Sequence, residues 1–240
     1  MSVDSGPNTV DNGLILNIDA ANLRSWPGSG TTWYDVSGQT NTAYMYGSVP
    51  TSSDGGTCFD FATVSGVNSG SATLGFTFTS NMIPLTGSFT FSTWIKNPPA
   101  SVGQCGMFSN AGSANGYRFG IGKDACYVLM SGANAEGYSE PQIGFNSTLD
   151  STSWYNVCMI FDRANATPQW NLYLNGVFQR TTNMGVPQNV AMANLAPGLV
   201  RSACCGLYTG KIATFVSYNR ALSANEVTQN FNALRGRFSV

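Results

Sequence analysis

Ser88-Phe89-Thr90-Phe91-Ser92-Thr93-Trp94-Ile95-Lys96 is the stretch on which the fold of this chain turns. Side chains alternate between two faces along a strand, so Phe89, Phe91 and Ile95 share one side. Trp94 falls on the other side, which predicts a strand covered on both faces. The same rhythm returns in Trp170-Asn171-Leu172-Tyr173-Leu174, where Trp170, Leu172 and Leu174 point one way. Asn175-Gly176 joins that run to Val177-Phe178-Gln179-Arg180. Both turn residues tolerate positive φ, so a tight type I′ hairpin is predicted. Other short strand candidates, broken by Gly, Asn and Pro, run along the chain at 13–19, 42–46, 57–62, 72–78, 105–109, 117–122, 126–130, 141–145, 154–162 and 211–217. One helix stands out. Ser223-Ala224-Asn225-Glu226 is a capping box, in which hydroxyl and carboxylate satisfy each other's backbone amides. Val227, Phe231 and Leu234 follow as an apolar stripe, and Gly236 is expected to stop the helix. Many short strands and one late helix predict an all-β chain of two antiparallel sheets packed face to face. Residues 1–12 are polar and hold Gly6, Pro7 and Asn8, so they read as a flexible N-terminal arm. Residues 13–240, with no break in composition, read as a single domain.

The composition removes much chemistry. The chain has no His, and its Glu are Glu136, Glu140 and Glu226 alone. Without imidazole, a Ser-His-Asp or Cys-His nucleophile lacks its base, and a histidine zinc site lacks its ligands. Charged residues make up 10%, against a usual share of about 25%. The surface must therefore be Ser, Thr, Asn, Gln and Gly, which suits packing on other proteins or on hydroxyl-rich ligands. A net charge of −1 without a basic cluster argues against a nucleic-acid partner. No apolar run of membrane-spanning length is present, and Met1-Ser2-Val3-Asp4-Ser5-Gly6-Pro7 has no leader-like basic or apolar region. Neither a membrane partner nor a signal peptide is expected. The six cysteines, Cys58, Cys105, Cys126, Cys158, Cys204 and Cys205, read mostly as free, buried thiols, and no C-x-x-C pair suggests zinc.

Several of these stretches, in order, resemble a known family. The 88–96 strand resembles the "sFTis.Wvk" strand of laminin-G-like domains. Trp154-Tyr155-Asn156-Val157 is similar to their "WhhVa" strand, and Leu172-Tyr173-Leu174-Asn175-Gly176 to "lYvNG". Gly210-Lys211-Ile212 with Tyr218-Asn219-Arg220-Ala221-Leu222-Ser223 resembles the family's ending. The resemblance implies a concanavalin A-like (laminin-G-like) jelly-roll sandwich with one short C-terminal helix. Residues 13–22 and 27–38 at the start, and 230–238 at the end, resemble a branch common in virion proteins of tailed, cyanophage-like bacteriophages. That implies a non-enzymatic bacteriophage virion structural protein: a capsid decoration (cement) protein or a tail-associated appendage. Its partners would be other virion proteins and copies of itself in a homo-oligomer. It would sit in the virion after synthesis in the host cytoplasm. The lectin-like fold implies an alternative, a carbohydrate-binding adhesion module for host surface glycans. Many members bind calcium near the rim; here Ala213 and Thr214 stand where an acidic residue is frequent. No Asp-rich loop is visible, so no metal or other cofactor is expected.

Trp26, Trp33 and Tyr34 lie in a Gly/Pro-rich loop. They form a candidate platform on which sugar rings could stack; the competing reading has them close an open end of the core. Tyr44 and Tyr46 share one parity and pose the same choice. Glycoside hydrolases share the sandwich and need a carboxylate pair, but no Glu-x-Asp-x-x-Glu string occurs. Glu136 and Glu140 read as solvated loop charges. Asp19, Asp35 and Asp60 read as turn and strand-end residues that bond local backbone. No catalytic residue is assigned.

Overall fold

A computed structural model describes residues 7–62, 75–79, 87–100, 107–109, 116–131, 142–164, 169–183, 198–199 and 208–240. Along the chain the strands are β1 (Leu14–Asp19), β2 (Thr32–Trp33), β3 (Ala43–Tyr46), β4 (Thr51–Ser52), β5 (Cys58–Asp60), β6 (Gly75–Phe78), β7 (Phe89–Lys96) and β8 (Phe108–Ser109). Then come β9 (Gly116–Ile121), β10 (Ala125–Ser131), β11 (Gln142–Gly144), β12 (Trp154–Asp162), β13 (Gln169–Leu174), β14 (Val177–Asn183), β15 (Gly198–Leu199) and β16 (Lys211–Tyr218). Helix α1 (Ala224–Phe238) closes the series. The first sheet runs β14-β13-β12-β7-β16-β5-β4, with β1 also paired to β16. The second runs β11-β10-β9-β8-β15-β6-β3-β2. This is the expected all-β antiparallel sandwich with one C-terminal helix.

The alternation read in the sequence sets the layers. Phe89, Phe91 and Ile95 of β7 enter the core between the sheets, beside Met159 and Phe161 of β12 and Trp170 and Leu172 of β13. The second sheet answers with Trp33, Phe76, Phe78, Phe119, Ile121 and Ile143. Phe91 meets Phe119 edge to face across the layers, with centroids 4.5 Å apart, a favoured geometry for aromatic pairs. β7 is buried on both faces, as its sequence implied. On its outer face Trp94 lies in a cluster with Cys58, Trp154, Phe231 and Phe238. The Trp94 ring stacks on Phe238 at 4.1 Å and on Phe231 at 5.7 Å. Helix α1 is therefore a lid on the outer face of the first sheet.

The helix begins as expected. Ser223 and Glu226 form the complete capping box, and Arg220 clamps Glu226 with both guanidinium ends at 2.9 and 2.6 Å. It does not stop at Gly236. It continues to Phe238, and Ser239 takes the left-handed cap conformation at φ 58°. A glycine inside a helix costs about 1 kcal/mol. Burying the Phe238 ring against Trp94 and Trp154 contributes more, about 1.5–3 kcal/mol.

The hairpin also matches its reading. Asn175 and Gly176 take φ 50° and 75° between β13 and β14. A side chain at Gly176 would press on the Phe231 ring at 3.1 Å, so the turn also receives the helix. Residues 8–12, expected within a flexible arm, are held in place. Val10 is buried, its N–H donates to Asn230 Oδ1 at 2.8 Å, and its carbonyl accepts from the Tyr218 hydroxyl at 3.1 Å. Gln229 Nε2 donates to the Asn8 carbonyl at 2.7 Å. Residues 8–12 are thus fastened to α1 and β16, because polar side chains on both take up the backbone groups of this segment. Cys58, Cys126 and Cys158 are free and buried, as expected; Cys105, Cys204 and Cys205 lie outside the described residues.

Phe238→Ala is expected to cost about 3–5 kcal/mol through the cavity left under α1. Arg235→Ala, on the exposed side of the same turn, should stay within about 0.5 kcal/mol. Urea denaturation followed by tryptophan fluorescence measures both.

Candidate functional site

The edge formed by β2 and β3 carries the residues singled out as a sugar platform. Trp33 and Ala43 pair across the two strands, and both are fully buried. The Trp33 ring lies 4.6 Å from Phe59 and 5.1 Å from Phe76, and Trp26 lies 5.0 Å from Phe59. These two indoles close the core at the point where the sheets approach, and neither offers a ring face to a ligand. The three-ring platform is therefore corrected: burying an indole stabilises the sandwich more than leaving it to water, and strand parity turns Trp33 inward.

Tyr34 differs. It is 46% exposed, and Tyr44 is 50% exposed. Tyr44 pairs with Thr32 on one side and Thr77 on the other. Since Trp33 and Ala43 face the core, alternation puts Thr32, Tyr44 and Thr77 together on the outer face, with Tyr34 two residues beyond Thr32. The backbone beneath Tyr34 is held firmly. Its N–H donates to the Ser25 carbonyl at 2.7 Å, and its carbonyl accepts from Ser25 Oγ at 2.6 Å. Asp35 next to it accepts from Asn17 N, Ser37 N, Ser37 Oγ and Asn41 N at 2.7–3.0 Å. Tyr44 thus stands half-exposed between two threonines, and Tyr34, just past the end of β2, is half-exposed on a fixed backbone.

The other acids have local partners, as read from the sequence. Asp19 accepts from Ala21 N at 2.8 Å and pairs with Arg237 at 2.7 Å. Asp60 accepts from Ala62 N at 3.0 Å. Glu136 and Glu140 lie outside the described residues. Among the described residues no group of three or more His, Cys, Asp or Glu is placed to hold a metal ion. The buried thiols are poor nucleophiles: burial pushes Cys58 up to about 11, and Cys126 and Cys158 rise further for the same reason.

Sequence reasoning missed one cluster. Lys96 ends β7 and Lys211 begins β16, and the register sets them opposite each other. Two like charges so placed repel unless an anion joins them. Asp54, in the turn between β4 and β5, is that anion: it pairs with both ammonium groups at 3.0 Å, and Trp154 Nε1 donates to it at 3.0 Å. Burial works against its charge, but these three donors outweigh it and hold Asp54 down at about 2. Beside it, Arg237 donates to the Gly55 and Thr57 carbonyls and to Asp19. A cavity of about 350 Å³ opens here, between the β4–β5 turn, the end of β7, the entry to β12 and the last turn of α1. Only the Lys96–Lys211 register signals this site, and register is not readable from composition.

The two-sheet antiparallel sandwich and its strand order are those of a lectin-type fold. The chain belongs to the laminin G 3 family, described as "Concanavalin A-like lectin/glucanases superfamily", which matches residues 65–228. No curated protein matches the sequence. Among solved structures, the binding domain of Paraclostridial Mosquitocidal Protein 1 is similar over 93% of this chain and 52% of its own, with TM-score 0.66 and 14% identity. The binding domain of botulinum neurotoxin DC, solved in complex with SialylT, is similar over 94% and 52%, with TM-score 0.64 and 16% identity. A botulinum neurotoxin type C structure, whose cell entry is described as dependent on two ganglioside molecules, gives 94% and 52%, TM-score 0.66 and 16% identity. The chain thus spans about half the length of these toxin domains. At such identity the likeness establishes the shared fold.

Asp54 and Glu226 give a pH prediction. The Arg220 guanidinium holds Glu226 down at about 2, against the smaller effect of burial. Both folded values lie below the ordinary ones of 3.8 and 4.5. The stability they contribute is therefore complete above about pH 4.5 and is lost as pH falls towards 2. The melting temperature should drop across that window. An Asp54→Asn, Glu226→Gln double variant should melt lower at pH 7 and show a shallower acid slope.

Proposed function

We propose that this chain is a carbohydrate-binding module that takes sugar rings on the surface of Tyr34 and Tyr44. The observation that carries this reading is the half-exposed Tyr44 between Thr32 and Thr77 on the outer face of β2, β3 and β6, with half-exposed Tyr34 just past the end of β2. A pyranose ring has an apolar face of C–H groups and a rim of hydroxyls. Tyrosine offers the matching apolar face with a polar tip, and threonine hydroxyls both donate and accept. Membership of a lectin-type superfamily supports the same class, as do fold neighbours solved with or dependent on sugar-bearing molecules. The role proposed is one of binding: five of the described acids, Asp19, Asp35, Asp54, Asp60 and Glu226, are engaged in bonds that hold the fold.

None of the structures named above, nor the family description, mentions a virion protein. The end motifs on which the virion role stands have jobs inside the fold. Asp19 and Arg237, one from each end motif, pair at 2.7 Å, and Asn230 holds Val10. Such residues describe how the sandwich is closed and leave its partners open.

A glycan array probed with the intact chain should give hits that fall at least tenfold in Tyr34→Ala, Tyr44→Ala with the melting temperature unchanged. Trp33→Ala should instead lose about 3–5 kcal/mol of stability. Silence of the intact chain across the array, or hits untouched by the double variant, would remove this reading.

A further inference from the structure

We propose a second, separate binding site in the cavity beside Asp54, shaped for one neutral polyhydroxylated ring of hexose size. The volume of about 350 Å³ lies at the small end of the range for ligand pockets, about 300–1,000 Å³. Trp154 and Phe238, each 4% exposed, border it with their rings 4.9 Å apart. Around these aromatics the polar groups are already oriented by one another. Lys96 has three N–H donors, and among the described residues Asp54 takes one of them. A carboxylate accepts about four bonds, and Asp54 receives three, from Lys96, Lys211 and Trp154. Thr152 Oγ1 and Ser153 Oγ donate to Asp150 at 2.9 and 2.8 Å, so each turns only lone pairs to other partners. The wall therefore presents donors from one ammonium and acceptors from a carboxylate and two hydroxyls, around the edges of two largely buried rings.

Charge narrows the class of ligand. Lys96 and Lys211 share Asp54, Lys211 also reaches Asp60, and Arg237 pairs separately with Asp19, so each cation already faces a carboxylate. A phosphate, sulfate or sugar acid would have to break one of these pairs to be neutralised. A neutral ring of hydroxyls can accept from Lys96 and donate to Asp54 and the two hydroxyl oxygens without disturbing any of them. The site is on the first sheet and α1, whereas Tyr34 and Tyr44 lie on the second sheet, so the two surfaces are independent.

The test is amide NMR of the intact chain titrated with the methyl α- and β-glycosides of glucose, galactose and mannose, with inorganic phosphate and N-acetylneuraminic acid as charged probes. For one small ring a Kd on the order of 1–10 mM is expected. Shifts should centre on residues 54–55, 96 and 152–154. Lys96→Met should weaken binding about tenfold or more. Ser153→Leu, which fills the mouth and leaves the Asp54 bonds in place, should do the same while the amide spectrum keeps its folded dispersion. Tyr34→Ala, Tyr44→Ala should leave this titration intact while abolishing the array hits. Shifts confined to the tyrosine surface, no shifts with any neutral glycoside, or preference for either charged probe would each overturn the proposal.

Discussion

The stack of Phe238 on Trp94 joins the last turn of the chain to the middle of the first sheet. A sheet in a sandwich buries its inner face against its partner, and its outer face can remain in water. Here β7, at the centre, carries large or uncharged side chains on both faces, so the outer face also needs cover. Helix α1 provides it with Val227, Phe231 and Phe238. Much else follows from that cover. Gly176 has no side chain where Phe231 lies, and Gly55, at φ 63°, lies where a side chain would meet Phe238 at 2.9 Å. Arg237 reaches back to Asp19 and to the turn that bears Asp54. The cavity beside Asp54 exists because the helix ends against that turn.

The fold was legible because its signals are local and strong. Alternation in 88–96 gave both faces of β7, Asn175-Gly176 gave the hairpin, and Ser223 with Glu226 gave the helix start. Each of these depends on residues within a few positions of one another. The errors came where distant residues decide. Gly236 is a stop signal by itself, but Phe238 finds Trp94 and Trp154 and the helix goes on. Residues 8–12 look like a free polar arm until Asn230 and Tyr218 supply partners for their backbone.

The functional surfaces were less legible for the same reason. Trp26, Trp33 and Tyr34 are neighbours in sequence and share aromatic character, yet only Tyr34 remains outside. The strand parity that separates Trp33 from Tyr34 could be read only with the ends of β2 known. Asp54, Lys96, Lys211 and Trp154 come from four distant positions with no motif between them. Nothing in the linear order announces that two lysines will stand opposite each other and share one carboxylate.

Among the described residues strand β1 pairs only with β16, and Asn230 takes the Val10 amide 220 residues away in sequence. β1 can enter its sheet only when β16, made about 200 residues later, is present. Pairing across such a separation closes a very long loop, which slows assembly in folds rich in distant contacts. The seam between the opening and closing segments thus ties residues from both ends of the described sandwich, and Leu16 and Ile18 gain their burial only when it is closed.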